Sequence, residues 1–194
     1  MLHKIFLDIE TQNTFAMANS NDPVDLDLSI MCTYDTKTGK YESYDLNTIS
    51  TLWPHLEATD IIVTFNGDHF DLPIMNKYYN GDLTKFRHVD LLKEVQKSIG
   101  RRVGLDNIAQ ATLGVGKTGH GLEAITWWKN GEIDKIIEYC KGDVKVTKEV
   151  YEYAMKEKKL FYTDGTEKKV IPIEIKDWEK NTELDGMLTY SLPF

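Results

Sequence analysis

Residues 61–65, IIVTF, form a short unbroken apolar run with polar residues on either side. Such a strand has no face to turn to water, so it belongs at the centre of a sheet covered on both sides. Residues 2–8, LHKIFLD, read as a second strand that opens with alternation and closes in an apolar run. LSIMCTYD (28–35) and YESYDL (41–46) read as two more, turned into a hairpin by Thr38-Gly39-Lys40. The polar stretch from Thr11 to Asp27, with Asn-Asp-Pro at 21–23, reads as a loop. Helical spacing follows over 48–58, with Thr48 placed to cap it. Asp71, with Pro73 close behind, opens a first helical turn where proline is tolerated. Beyond it the pattern is mainly helical, apart from a short strand at HVDLL (88–92). LDNIAQATLG (105–114) ends on glycine, as a helix C-terminus should. The longest helix spans Glu132 to about Lys158, with an apolar stripe that includes Ile133, Ile136, Cys140, Val144, Val150 and Tyr151. Asp164-Gly165 between two β-rich runs predicts a hairpin. This order gives one α/β domain over 1–158, a mixed sheet flanked by helices, with a C-terminal β-hairpin extension over 159–194 packed on it.

No apolar run approaches the ~18 residues that a membrane span needs. The N-terminus, MLHKIFLDIE, carries acids where a signal peptide needs an uninterrupted apolar stretch, so a cytoplasmic location is expected. Cys32 and Cys140 are too distant in sequence for a metal knuckle and read as reduced, half-buried thiols. The formal net charge of −8 argues against nucleic-acid binding by bulk electrostatics. That average hides a local reversal. Lys77 to Lys117 holds eight basic residues against four acids, +4 where the remainder carries −12. A locally basic surface beside an acidic site suits a polyanionic substrate; a solvated helical face is the alternative for any single residue.

The most informative residues are acids where the fold would prefer hydrophobics. Asp8 and Glu10 lie at the end of a buried strand, two apart and therefore on one face. Two such carboxylates repel by ~4 kcal/mol at 4 Å and an effective dielectric of about 20, and a divalent cation is the usual compensation. Asp71 follows a second buried strand across the turn FNGDHFD, and Asp143 lies inside the long amphipathic helix. Strand ends and a helix packed across them can converge on one point. Four clustered carboxylates call for roughly two divalent ions, and oxygen-only ligands select Mg²⁺ or Mn²⁺ over zinc. Two such ions ~3.5–4 Å apart form the clamp for in-line phosphoryl displacement. Tyr139, one turn before Asp143, shares its helix face. With a free pKa near 10 it is better suited to orienting an attacking water than to serving as a base.

FLDIET (6–11), VTFNGDHFDLP (63–73) and YCKGD (139–143) resemble, in order and spacing, the three exonuclease motifs of the DEDD superfamily. Tyr139 and Asp143 fit the tyrosine form of the third motif, Tyr-x-x-x-Asp; position 138 is Glu, where the histidine form needs His. The resemblance implies a ribonuclease H-like fold, similar to the proofreading domains of family B DNA polymerases. It implies 3′→5′ exonuclease activity on single-stranded nucleic acid, DNA favoured over RNA, with two divalent cations. Asp8, Glu10 and Asp143 are then direct metal ligands, with Asp8 bridging, and Asp71 acts through the second metal. Thr11, Asn66 and Phe70 sit where such enzymes contact or shape the terminal nucleotide. Asp90 resembles a further acidic position in stand-alone members, without an assigned role. A replication or repair partner fits this class, but no residue identifies one. A 3′ exoribonuclease, a non-catalytic nucleic-acid-binding module of the same fold and a small-nucleotide phosphohydrolase are the alternatives.

His69 reads as a loop histidine, and of Trp127-Trp128, which are able to stack on bases, at least one reads as packing. GVGKTG (114–119) imitates a phosphate loop, but Ala111 stands where its first glycine is needed, and a helix precedes it. Asp25-Leu26-Asp27 imitates a sugar-nucleotide metal motif without supporting signature.

Overall fold

Strand β1 (Lys4–Thr11) sends Ile5, Leu7 and Ile9 into one hydrophobic cluster and Phe6 into another, and that alternation makes it the divider of the molecule. The computed structural model describes residues 2–116 and 121–180, for 121 and 122 the backbone only. β2 (Leu28–Asp35) and β3 (Lys40–Tyr44) run antiparallel on one side of β1, while β4 (Ile61–Thr64) and β5 (His88–Asp90) run parallel on the other. The order across the mixed sheet is β3-β2-β1-β4-β5. β4 is fully buried along its length, as its unbroken apolar run requires.

One face of the sheet packs on α4 (Leu91–Ile99), α5 (Leu105–Leu113), α6 (Gly121–Lys129) and the 25-residue α7 (Ile133–Glu157). The other face packs on α2 (Trp53–Glu57) and α3 (Asp71–Asn76), with Leu52, Leu56, Leu72 and Ile74 at the contact. α7 presents Ile136, Cys140, Val144, Thr147 and Tyr151 on its buried face, one step per helical turn. Gly114 ends α5 in the left-handed conformation, φ 74°, which a side chain would strain.

Some local expectations give way to stronger capping groups. The 11–27 stretch contains a short helix, α1 (Phe15–Ala18), capped by Thr14, and a 3₁₀ turn, Pro23–Asp25, capped by Asp22. Thr48 caps nothing with its side chain. Asp45 does that work, taking the N–H groups of Asn47 and Thr48 at 3.0 and 2.9 Å, and bonds from Thr48 and Asn47 hold its carboxyl below the usual range. Residues 48–58 accordingly split into a 3₁₀ turn, Ile49–Thr51, and α2.

β6 (Lys159–Asp164) and β7 (Glu167–Pro172) form a separate two-stranded sheet, with Gly165 at φ 63° in the turn. Leu160, Tyr162 and Ile171 enter the same core as α5 and α7. The outer edge of β6 meets side chains instead of a strand. Asn107 of α5 accepts the Thr163 N–H (2.6 Å) and donates to its carbonyl (2.8 Å); Thr112 does the same for Phe161 (2.9 and 3.1 Å).

Candidate active site

Asp8 and Glu10 lie in the last half of β1, which runs one residue beyond Glu10 to Thr11. They point to the α7 face, opposite Cys32 and Ile30 of β2. The register slips between Glu10 and Thr11, passing over Ser29, whose buried hydroxyl has no partner among the described residues. Such a bulge bends a strand and re-aims its last side chains. α7 crosses β1 here, with the Cys140 thiol donating to the Asp8 carbonyl at 3.3 Å. Both cysteines are fully buried, deeper than half-buried thiols, and burial drives Cys140 further from ionisation. Asp143, one turn beyond Tyr139, completes the site: ligand oxygens of Asp8, Glu10 and Asp143 lie within 4.8 Å of one another. Glu10 is 9% and Asp143 7% exposed, so water screens their repulsion poorly. Three converging carboxylates without nitrogen or sulfur donors suit a hard divalent cation.

Asp71, the first residue of α3, is not one of that converging group. Its buried carboxyl accepts the N–H of Ile9, the residue between Asp8 and Glu10. Burial pushes its pKa up to about 8, its own N–H and that of Ile9 oppose the rise, and nearby Asp90 adds to it.

The turn that delivers Asp71 is held from below. Asp90 accepts from the backbone N–H groups of Asn66 (2.8 Å), Asp68 (3.1 Å) and Leu92 (2.9 Å), so it caps α4 and pins the turn together. Asn66 sits at φ 74°. The Gly67 N–H donates to Thr64 Oγ1 at 3.1 Å, and a Cβ at Gly67 would lie 2.1 Å from that oxygen. His88 joins Thr64 Oγ1 (2.7 Å) to Asp68 (2.5 Å). The His88 bond, and after it Lys93, hold the Asp68 carboxyl well below the usual range against its burial. Asp90 had no role from the sequence, although an acid directly before LLKEV is a helix-cap signal.

Tyr139 is buried and packs edge-on to Trp127, ring centres 6.0 Å apart. Both line a cleft of about 540 Å³ with Asp143, Lys135 and Lys145. Trp128 packs on the core, and His69 is exposed. The Thr11 hydroxyl donates to the Asn13 carbonyl at 2.9 Å, and Phe70 meets Phe15 edge-on at 6.3 Å. Much of the basic stretch is engaged internally: Lys77 with Asp27, Lys93 with Asp68, Arg101 with Asp164, Arg87 with the carbonyls of Asp177 and Trp178. Lys117, the end of GVGKTG and residues 181–194 of the C-terminal extension lie outside the described residues.

No curated protein matches the chain. Among solved structures it is similar to the family B DNA polymerase of the hyperthermophilic archaeon Pyrobaculum calidifontis, with a TM-score of 0.62 and 18% identity. That likeness covers 80% of this chain and 25% of the polymerase, so it speaks for the fold alone. A family model matches residues 5–155, from the strand that carries Asp8 and Glu10 through nearly all of the helix that carries Asp143, and the chain belongs to the RNase_H superfamily.

Proposed function

We propose that this chain is a metal-dependent 3′→5′ exonuclease of the tyrosine subclass, acting on single-stranded DNA in preference to RNA. The observation that carries the reading is the convergence of Asp8, Glu10 and Asp143 beside Tyr139, on an RNase H-like fold. Asp8, Glu10 and Asp143 hold divalent cations, two Mg²⁺ or Mn²⁺ ions in all, with Asp71 supporting the second. When bound, these ions offset the carboxylate charge and supply Lewis acidity at a phosphodiester.

The chain's own groups do the rest. Thr11, Asn66 and Phe70 seat the terminal nucleotide, fixing the 3′ end against the carboxylates. The Tyr139 hydroxyl, braced by Trp127, orients the attacking water. The water oxygen bonds to phosphorus as the bond to the 3′ oxygen of the penultimate sugar breaks. A nucleoside 5′-monophosphate leaves, and the shortened strand keeps a 3′-hydroxyl. The hairpin from 159 onward serves as an extension of the same domain.

The test is hydrolysis of 5′-labelled single-stranded DNA and RNA of equal sequence with Mg²⁺ or Mn²⁺. A ladder shortening from the 3′ end of DNA supports the proposal. A ladder on RNA alone makes the protein an exoribonuclease, and binding without cleavage under either metal makes it a nucleic-acid-binding module.

A further inference from the structure

We propose that Arg102 is a substrate-binding residue that grips a backbone phosphate of the bound single strand beside the Asn66 turn. The inference rests on the nuclease reading of the same site and adds a contact outside the three motifs.

β1 and β4 run parallel with Phe6 opposite Val63, so the turn after β4 emerges alongside Asp8 and Glu10 at the same end of the sheet. Asn66 lies in that turn, its backbone fixed by Asp90 and its φ left-handed, and so its side chain has a set direction. Arg102 reaches it from the segment between α4 and α5, donating from Nη2 to Asn66 Oδ1 at 2.6 Å. The neighbouring residues show that this aim is built in. Val103 is buried in the core, and Arg101 turns away to the hairpin, pairing with Asp164 at 3.3 Å and lying over the Tyr162 ring at 5.4 Å. Arg101 is thus held by an acid and an aromatic ring, whereas Arg102 is held by a neutral amide. Among the described residues no carboxylate pairs with Arg102, and its side chain is exposed.

Guanidinium carries five N–H donors in a planar fork, and one bond to Asn66 leaves the charge and most of the fork available. A phosphate accepts two such bonds side by side. The chain as a whole is acidic at −8 and repels a polyanion, so a strand must be held by local cations. Lys77, Lys85 and Lys93 face carboxylates of their own. Lys93 pairs with Asp68 of the turn that precedes Asp71, whereas Arg102 bonds to the neutral Asn66 of the same turn.

The experiment compares the full chain with Arg102→Gln and Asn66→Ala. Binding of a fluorescent oligodeoxythymidylate is read by anisotropy across a salt series, in an Asp8→Ala background that stops hydrolysis. Arg102→Gln is expected to weaken binding about tenfold and to lower the slope of log affinity against log salt by about 0.7, the value for one lost single-strand phosphate contact. In the otherwise unchanged enzyme it raises KM for the oligonucleotide and leaves hydrolysis of the p-nitrophenyl ester of thymidine 5′-monophosphate, which has no second phosphate, at the unsubstituted rate. An unchanged salt slope overturns the inference, as does an ester rate in Arg102→Gln lowered as far as in Asn66→Ala, because Arg102 then acts only by bracing the turn. Binding without hydrolysis in the unsubstituted chain refutes the nuclease reading and leaves the Arg102 contact measurable; absence of binding refutes both.

Discussion

Replacing Asp71 by asparagine should stabilise the metal-free protein, and increasingly so as the pH rises. In the unfolded chain Asp71 ionises near pH 4. In the folded protein burial keeps it protonated up to about pH 8. Across that window the folded state holds one proton more than the unfolded state, so unfolding free energy falls by ~1.4 kcal/mol per pH unit on account of this group. The loss begins above pH 4 and levels off above pH 8, where both states are ionised. Asparagine keeps an oxygen to accept the Ile9 N–H and has no proton to exchange, so its curve lacks this slope. Between pH 5 and pH 7 the gap between the two proteins should widen by about 3 kcal/mol. Urea unfolding in EDTA at pH 5, 6 and 7, followed by tryptophan fluorescence, measures it directly. Taking the difference between the two proteins removes the titrating groups that do not interact with Asp71. Parallel curves would show that Asp71 is already ionised in the metal-free fold, and that burial does not control it. Added Mn²⁺ should flatten the native slope, because a cation favours the ionised carboxyl and releases its proton.

Asp143→Ala and Asp8→Ala should each abolish nuclease activity with the fold intact, checked by gel assay and circular dichroism; residual turnover near the native rate would remove that residue from the site. Tyr139→Phe should slow hydrolysis by ~10²–10⁴ without changing the melting temperature much, and native turnover would make the tyrosine a packing residue only. Gly67→Ala forces a Cβ against Thr64 and should cost about 1–3 kcal/mol or more in denaturant unfolding. Asp90→Ala strips the acceptor from the Asn66, Asp68 and Leu92 N–H groups and should cost about 2–3 kcal/mol, with faster amide exchange at those positions as its local signature.

The strands and the candidate acidic cluster were readable in the sequence for one physical reason: both depend on side chains being where solvent exposure would not put them. IIVTF announces β4 by lacking polar residues, and Asp8 with Glu10 announces a site by interrupting an apolar strand. Capping was harder, since Ser, Thr, Asp and Asn compete for it over a few residues. Asp45 outbids Thr48 because a charged acceptor takes several donors at once. The single helix expected at 48–58 breaks because Pro54 has no N–H with which to continue it. Asp90 and Asp143 are alike on paper, each an acid next to apolar residues. Only the fold shows that one turns to backbone N–H groups and the other to carboxylates. The basic stretch misled in the other direction, because charge counts do not reveal which cations are engaged by the protein's own acids.

The edges of the small β6–β7 sheet carry a consequence for how the protein behaves at high concentration. A two-stranded sheet ordinarily offers two rows of unpaired backbone groups, each a template on which another chain can crystallise as a strand. Here Asn107 and Thr112 occupy the β6 row from the helix side, while β7 bears Lys168, Lys169 and Pro172, whose charges and missing donor discourage an incoming strand. A helix thus acts as a shutter over one edge and repulsion guards the other. Asn107→Ala and Thr112→Ala together should leave the Phe161 and Thr163 backbone groups open to such pairing, measured as concentration-dependent light scattering above that of the native chain.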